Sequence, residues 1–511
     1  MFLGVERMQI FDVIVIGGGI TGAAAANHLI AAGHSTLLVE AGDFGAATTS
    51  RTSRLQYCGL AYLNGFESFS TIATQPRAFA QRLGLARRSM RERSAFVRQS
   101  PERLQTVDFY LPIYARDAAS PWKMKAGFRL LDMMDTGGEG LTYTFLDADA
   151  ARAIPMLTGA SSRGALVGAI HYVEYQYNWP ERICVDTVMN AAEAGAEVRN
   201  YCPVQHIERE GDGWRVTCFD KRTKAPFSAT ARAIVNAAGP WVDAIARAAG
   251  MSVAQLNQGE KGTNIALRLP AEFRGQGLQT LSRSGAPFYL IPWGALHYAG
   301  PVNSSAEADA KGFVAQDDEI TALIDELNDL FPDLNLGHED IVYSWAGVRP
   351  RTYAPSAPSG GSGLQLHTPA MTGLPGYYVY TGGLLMMHGQ IGREIATAVT
   401  QAFSPSREPQ AVKVGPRPLA ATDQRGVITS VDGVSVPVSA LNDMVARESV
   451  MTLEDVMFRR ASFGWNEHLG TDVVEDVAEA VRETAGWSKV EAGLQIMAYR
   501  ETLNRSYKFR G

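Results

Sequence analysis

At 511 residues the chain exceeds one ordinary hydrophobic core, so two or three domains are expected; 46% hydrophobic and 20% charged residues describe a globular protein. A net charge of −6 leaves no electrostatic footprint for nucleic acid. The four cysteines, Cys58, Cys184, Cys202 and Cys218, show no CxxC or metal-ligand spacing, which fits a reducing cytoplasm and no metal site.

The first predicted unit runs from Phe11 to Glu40. It begins within about ten residues of the N-terminus, too soon for a signal peptide. No apolar run anywhere approaches the ~18 residues of a membrane span. Asp12 to Ile16 are apolar and β-branched after the first residue, which suits a buried parallel strand. The strand ends in Gly17-Gly18-Gly19-Ile20-Thr21-Gly22, a GxGxxG that should open a helix reaching about Ala32. Gly17 permits the tight turn, Gly19 lets backbone approach a pyrophosphate, and Gly22 lets helix and strand pack closely. Free N–H groups and the positive end of the helix dipole then face the phosphates. Gly33 ends the helix, Ser35 to Val39 form the second strand, and Glu40 at its tip is placed to accept hydrogen bonds from ribose hydroxyls. Strand, glycines, helix, strand and acid in this order make a dinucleotide site.

The next stretch, Ala46 to Leu63, reads AATTSRTSRLQYCGLAYL. A nicotinamide enzyme usually continues from its second strand into another helix. A loop rich in Thr, Ser and Arg instead suits a ligand lying extended across the domain, with Thr48, Thr49, Ser50 and Ser53 offering hydroxyls to phosphates and a ribityl chain. Here the sequence resembles the FAD-dependent glycerol-3-phosphate dehydrogenases, whose loop reads roughly ATSSxSSKLIHGGLRYL. Four later segments agree in order: Ile234 to Val242 (IVNAAGPWV), Ile341 to Pro350 (IVYSWAGVRP), Tyr378 to Gly383 (YVYTGG) and Thr452 to Gly464 (TLEDVMFRRASFG). The resemblance implies FAD, with Gly239 where a strand returns to the cofactor and Val204 where a backbone edge lies against the adenine. It also implies quinone as electron acceptor.

The remaining elements fit that architecture. Ala78 to Val97 and Lys123 to Met134, each preceded by a proline, have helical period, as does Ile183 to Ala194 before the stop signal Gly195. Tyr201 to Glu208 and Trp214 to Phe219 read as a hairpin; Lys261 to Leu269 and Phe288 to Pro292 alternate like strands of a second, antiparallel sheet. Ala354 to Gly363 (APSAPSGGSG) is a Pro/Ser/Gly loop, and Leu453 to Tyr507 is mostly helical by period. The expected fold class is α/β. A discontinuous Rossmann-like FAD-binding domain (8–105, 180–245, 335–402) joins an antiparallel-sheet substrate domain (106–179, 246–334) and a C-terminal, mostly helical region (403–511).

For the chemistry, Gly382 and Gly383 at a strand end, with a helix from about Leu384, would aim N–H groups and a positive dipole at the flavin edge that gains negative charge on reduction. Arg349 matches the arginine that the family places beside flavin and substrate. Tyr62 also matches. Three other positions depart: Ala61 stands for an arginine that contacts substrate phosphate, Leu384 for a lysine, and Asn264 for a histidine. Losing two cations removes charge-assisted contacts of about 1.5–3 kcal/mol each, so cofactor and fold carry over while the phosphate substrate does not. His388 is the candidate base, since a neutral imidazole suits proton abstraction near pH 7. Tyr62, with a phenol pKa of about 10, is a poor unaided base. Cys58 is read as packing. The expectation is a dehydrogenase passing hydride from a CH–OH group of a small molecule to flavin. An oxidase of an alcohol or amine using O₂ and a non-catalytic flavin-binding protein are the alternatives. Arg500, Arg505, Lys508 and Arg510 among apolar residues suggest peripheral contact with an anionic membrane.

Overall fold

The computed structural model describes residues 9–56, 74, 76–115, 121–134, 140–160, 164–252, 255–305, 313–354, 363–418 and 426–509. Tyr62, Cys58, Ala61 and most of the 354–363 loop lie outside them. The Gln9–Ile16 strand sits mid-sheet because Val13, Ile14, Val15 and Ile16 are apolar on both faces and exposed by no more than 4%. The order across this sheet is Gln365–His367, Tyr377–Thr381, Ala225–Asn236, Gln9–Ile16, Thr36–Val39 and Glu197–Arg199, and from Tyr377–Thr381 onward all pairs are parallel. The hairpin Val204–Glu210 and Gly213–Asp220 extends antiparallel from Ala225–Asn236.

Helices Ile20–Ala31, Pro180–Glu193 and His388–Ala402 share one apolar cluster with that sheet. Ala23 to Ala26 keep the first helix slim. An added methyl on Gly392 would collide with His28 and the Ala24 carbonyl, so the first and last of these helices touch nearly backbone to backbone.

The second sheet runs Ile341–Thr352, Asn257–Leu267, Leu296–Ser305, Pro287–Trp293, Gln276–Leu281, Leu104–Tyr114, Leu166–Tyr177 and Leu55–Gln56, with Tyr143–Asp147 also on Leu166–Tyr177. It is antiparallel except where Gln276–Leu281 meets Leu104–Tyr114. Ile341–Thr352, expected in the FAD-binding part, is an edge strand of this second sheet. It pairs with Asn257–Leu267 along its whole length, from Thr352 opposite Asn257 to Ile341 opposite Leu267.

The C-terminal region is helical (Val438–Arg447, Val474–Val481, Lys489–Thr502) apart from a small hairpin, Val427–Thr429 with Ser435–Pro437. It is not a separate body: Leu453, Phe458, Trp465, Tyr499 and Tyr507 join Phe109, Tyr172 and Trp345 of the second sheet in one core. Its basic segment is largely spoken for. Arg500 pairs with Glu475 and Lys508 with Asp317, while Tyr499 and Tyr507 point inward. Among the described residues no helix is long and apolar enough to cross a membrane.

Candidate active site

At the end of the first strand Gly17 has φ +107°, and a Cβ there would sit 2.6 Å from the Ala237 carbonyl oxygen. A Cβ on Gly22 would land on the Gly17 carbonyl oxygen itself. Both glycines are therefore demanded by the turn. Gly19 is different. It caps the Ile20–Ala31 helix, and a Cβ there meets only Thr49 Oγ1, at 3.4 Å. The space beside Gly19 is open and lies at a helix N-terminus; Ala237 and Ala238 pack against the neighbouring Gly17, and Gly239 has φ +55° with open space beside it. This cradle fits a dinucleotide pyrophosphate, which needs close backbone approach and N–H donors.

Glu40 stands at the tip of the second strand as expected, but its carboxylate is already engaged. Gly18 N–H donates to Oε2 at 2.6 Å and Gly42 N–H to Oε1 at 2.8 Å. Each oxygen keeps a second acceptor direction for a ribose hydroxyl. Burial raises its pKa, and the two N–H bonds oppose that rise. The Glu40 carbonyl accepts from Cys202 N–H at 2.7 Å, which brings Val204, two residues on, to the same end of the sheet.

The hydroxyl loop makes bonds of its own. Thr48 Oγ1 donates to the Val348 carbonyl (2.6 Å), Thr49 Oγ1 accepts from Ile20 N–H (3.1 Å), and Ser50 Oγ donates to the Gly45 carbonyl (2.6 Å). Thr49 and Ser50 are buried; Thr48 and Ser50 donate their protons within the fold, whereas among the described residues Thr49 only accepts and keeps its proton beside the space at Gly19. Ser53 is half-buried and makes no such bond among the described residues.

Sequence reasoning gave no role to two arginines of TLEDVMFRRASFG. Arg459 and Arg460 both bind the buried carboxylate of Asp43, three residues past Glu40, and Asn200 Nδ2 adds a bond at 2.9 Å. Burial alone would raise the Asp43 pKa, yet Arg460 and Arg459 outweigh it and hold the carboxyl at about 2. The paired arginines in the sequence were the available signal. Arg54 was also missed. It is buried between the Trp293 and Trp465 rings, 4.7 and 4.3 Å from their centroids, and paired with Glu181 at 2.9 Å.

The opposite wall is built by the glycine pair and the second sheet. Gly382 has φ +72°, and its N–H donates to the Pro350 carbonyl at 2.7 Å. A Cβ on Gly383 would meet Thr21 Oγ1 at 2.5 Å. Thr381 hydrogen-bonds Thr352 (2.7 Å) and His367 (2.9 Å), tying the turn to the Ile341–Thr352 strand. The helix expected from Leu384 begins as a tight 3-10 turn at Leu385–Met387, and the α-helix starts at His388. Leu384 itself is extended and half-buried.

Across the second sheet, register places Trp345, Gly347, Arg349 and Arg351 opposite Asn264, Gly262, Glu260 and Gln258 on one face. Arg349 Nη1 donates to Glu260 Oε2 (2.8 Å) and to Asn303 Oδ1 (3.1 Å), and a Cβ on Gly262 would lie 3.0 Å from its Nη2. Arg351 Nε lies 3.0 Å from the same Glu260 oxygen. Lys261 and Thr263 alternate to the other face and bind Glu319, Lys261 at 2.7 Å, so that lysine offers nothing to this pocket. Asn264 is on the Arg349 face and buried, with its Oδ1 against Gly300.

His388 packs edge-on against Phe96, with centroids 5.8 Å apart, and its Nδ1 lies 2.8 Å from the Leu385 carbonyl. A carbonyl only accepts, so Nδ1 carries a proton and the neutral ring has its lone pair on Nε2. Burial is the main cause holding the imidazole below its ordinary pKa; Arg393 adds to it and the Leu385 bond opposes it. Among the described residues no cluster could hold a metal ion.

Comparison with known proteins agrees with this geometry. The model of a family described as FAD dependent oxidoreductase matches residues 12–398. A glycerol-3-phosphate dehydrogenase of Synechocystis sp. is 26% identical, over 97% of both chains. Among solved structures, a glycerol-3-phosphate dehydrogenase from Bacillus halodurans complexed with FAD superposes with a TM-score of 0.71, at 19% identity, over 98% of this chain and 95% of that one. An L-α-glycerophosphate oxidase from Mycoplasma pneumoniae with FAD bound gives 0.58, at 14% identity, over 80% and 100%. The glycine cradle, the acid after the second strand and a family match over most of the chain lead to one conclusion: this protein belongs to the FAD dependent oxidoreductase family.

Proposed function

We propose that the protein is an FAD-dependent dehydrogenase that oxidises a CH–OH group of a small polar substrate held on the face carrying Arg349. FAD, when bound, supplies the acceptor for the hydride. The cradle of Gly17, Gly19 and Gly22 holds its pyrophosphate, Glu40 its ribose, and the Val204 backbone its adenine edge, with Gly239 beside the cradle. Of the four loop hydroxyls, Thr49, beside the space at Gly19, and Ser53 keep a proton to donate to the cofactor among the described residues. Thr48 and Ser50 donate theirs within the fold and keep acceptor lone pairs. Gly382 and Gly383 give close backbone approach at the flavin ring, with Leu384 as an apolar side wall.

One observation carries the substrate reading: the strand bearing Arg349 is tied to the Gly382 turn by the Pro350 carbonyl bond, and Arg349 shares its charge with Glu260. Such an arginine orients a hydroxyl or a single carboxylate. Tyr62 would add a hydroxyl by resemblance. We assign His388 Nε2 to take the alcohol proton, supported by the tautomer that Leu385 sets. Relatives named glycerol-3-phosphate dehydrogenase suggest the reaction class, and quinone is the acceptor implied by resemblance. Peripheral contact with a membrane finds its support in Val490, Leu494 and Met497, an exposed apolar stripe on the Lys489–Thr502 helix. The test is substrate-dependent bleaching of the bound flavin without O₂. Bleaching by a polyol or hydroxy acid supports the dehydrogenase; bleaching by amines alone would overturn it. Sustained turnover with O₂, with peroxide forming as fast as the substrate is oxidised, would transfer the reading to an oxidase.

A further inference from the structure

Glu260 is the carboxylate in the substrate wall that sequence reading passed over. It faces Arg349 directly across the strand pair, and both Arg349 and Arg351 reach its Oε2, at 2.8 and 3.0 Å. Its side chain is only 17% exposed, so these are partly desolvated contacts rather than fully screened surface pairs. The neighbouring glycines matter. Gly262 and Gly347 lie opposite one another on the same face, and the guanidinium of Arg349 extends over the first. A Cβ on Gly347 would meet the Cβ and carbonyl of Arg51, and one on Gly262 the Arg349 guanidinium, so the two glycines let Arg51 and Arg349 pack directly onto the strand pair. The next cation, Lys261, is turned away and neutralised by Glu319.

Two neighbouring arginines with no carboxylate between them would by themselves favour a dianion. With Glu260 between them the local charge falls from +2 to +1, and Arg349 is held by Glu260 and Asn303. We propose that Glu260 is a specificity-determining residue: by engaging Arg349 and Arg351 it excludes phosphate esters and selects neutral, hydroxyl-rich or singly charged substrates. This deepens the dehydrogenase reading above and rests on its placement of the substrate on this face. A phosphate ester entering the site would either displace Glu260 from both arginines or lie beside an uncompensated carboxylate, and each route loses binding.

The test measures binding apart from turnover. FAD-loaded wild type, Glu260→Gln and Glu260→Asp are titrated with inorganic phosphate by calorimetry, at low and at high salt. Glu260→Gln should bind phosphate about tenfold tighter or better than wild type at low salt, with the gain shrinking at high salt, because one negative charge has been removed beside two arginines. Glu260→Asp keeps the charge and should stay close to wild type. Arg351→Gln supplies an independent arm, since it lowers local charge and should weaken phosphate binding further. Equal phosphate affinity in wild type and Glu260→Gln, at matched FAD content, would overturn the proposal. So would tighter binding in Glu260→Asp to the same extent as in Glu260→Gln. Should Glu260→Gln fail to retain FAD, the Arg351→Gln comparison decides, and unchanged binding there counts against the proposal. Flavin bleaching by substrates is scored separately: its absence in every variant sinks the dehydrogenase reading, while the phosphate titrations still judge Glu260.

Discussion

Arg460 meets Asp43 with both terminal nitrogens, Nη1 to Oδ2 at 2.5 Å and Nη2 to Oδ1 at 2.9 Å, and neither side chain is more than 1% exposed. This pair joins the C-terminal region to the loop that follows Glu40, so cofactor site and C-terminal helices are mechanically one unit. Removing one partner leaves buried charge unpaired, which costs about 3–5 kcal/mol. Asp43→Asn should therefore lower the urea midpoint strongly at neutral pH and weaken FAD retention with it. The pH dependence has a definite sign. The folded carboxyl is held at about 2, below its unfolded value of 3.8, so its contribution is complete above the unfolded value and is lost as pH falls toward 2. The gap between wild type and variant should be constant from neutral pH to about 5 and narrow only below about 4. A gap that narrows already near neutral pH would mean the pair is not what stabilises the loop.

The cradle makes a prediction with a built-in control. Gly22→Ala drives a methyl into the Gly17 carbonyl and should abolish FAD retention, whereas Gly84→Ala in the Pro76–Gln99 helix meets nothing within 4 Å. The second change should leave FAD bound and raise stability by about 0.5–1 kcal/mol through helix propensity. Flavin absorbance per protein and thermal unfolding of the two variants check both halves. Gly22→Ala with full flavin content would show that the turn is not the cofactor cradle.

Glu40 has a part in the protein itself beside the ribose contact proposed for it. Glu40→Ala deprives the Gly18 and Gly42 N–H groups of their acceptor, so it should weaken FAD retention and also destabilise the apoprotein, by about 1–3 kcal/mol. Glu40→Gln keeps an acceptor oxygen and should fall between. FAD affinity and apoprotein unfolding are measured side by side; loss of FAD affinity with an unperturbed apoprotein would return Glu40 to a purely ligand-binding role.

Much of the nucleotide site was legible because its constraints are local: a strand, three glycines, a helix and an acid lie within thirty residues of one another, roughly one βαβ unit. What stayed hidden depends on partners far apart in the chain. The hydroxyls of Thr48 and Ser50 are the right chemistry for phosphate, but sequence does not say that carbonyls of the fold take their protons. Glu260 meets Arg349 across 89 positions, and only the strand register brings them together. The same non-local pairing puts Ile341–Thr352, grouped by sequence with the FAD-binding part, at the edge of the second sheet. Asp43 and its two arginines are separated by more than 400 positions, so neither partner could announce the other.

His388 yields a pH prediction. Burial lowers its pKa, so the imidazole stays neutral, and able to accept a proton, to lower pH than a free histidine would. The limiting rate of anaerobic flavin reduction should stay flat from about pH 8 to below about 6.5 and decline only under that. His388→Gln should cut this rate about 10²–10⁴-fold with FAD content unchanged. An acid limb centred at or above 6.5, or a His388→Gln rate near wild type, would remove His388 as the base.

The most direct measurement is anaerobic flavin reduction by glycerol 3-phosphate against matched uncharged and carboxylate-bearing alcohols, compared as kcat/KM. By resemblance, Ala61 and Leu384 replace two cations of the family, and Glu260 shares the charge of Arg349 and Arg351. Two missing contacts of about 1.5 kcal/mol each make glycerol 3-phosphate on the order of a hundredfold worse than an efficient family substrate. The predicted result is rapid bleaching by an uncharged or singly charged alcohol, slow bleaching by the phosphate ester, and a gain on the ester in Ala61→Arg with Leu384→Lys. Efficient reduction of the unmodified protein by glycerol 3-phosphate would contradict it.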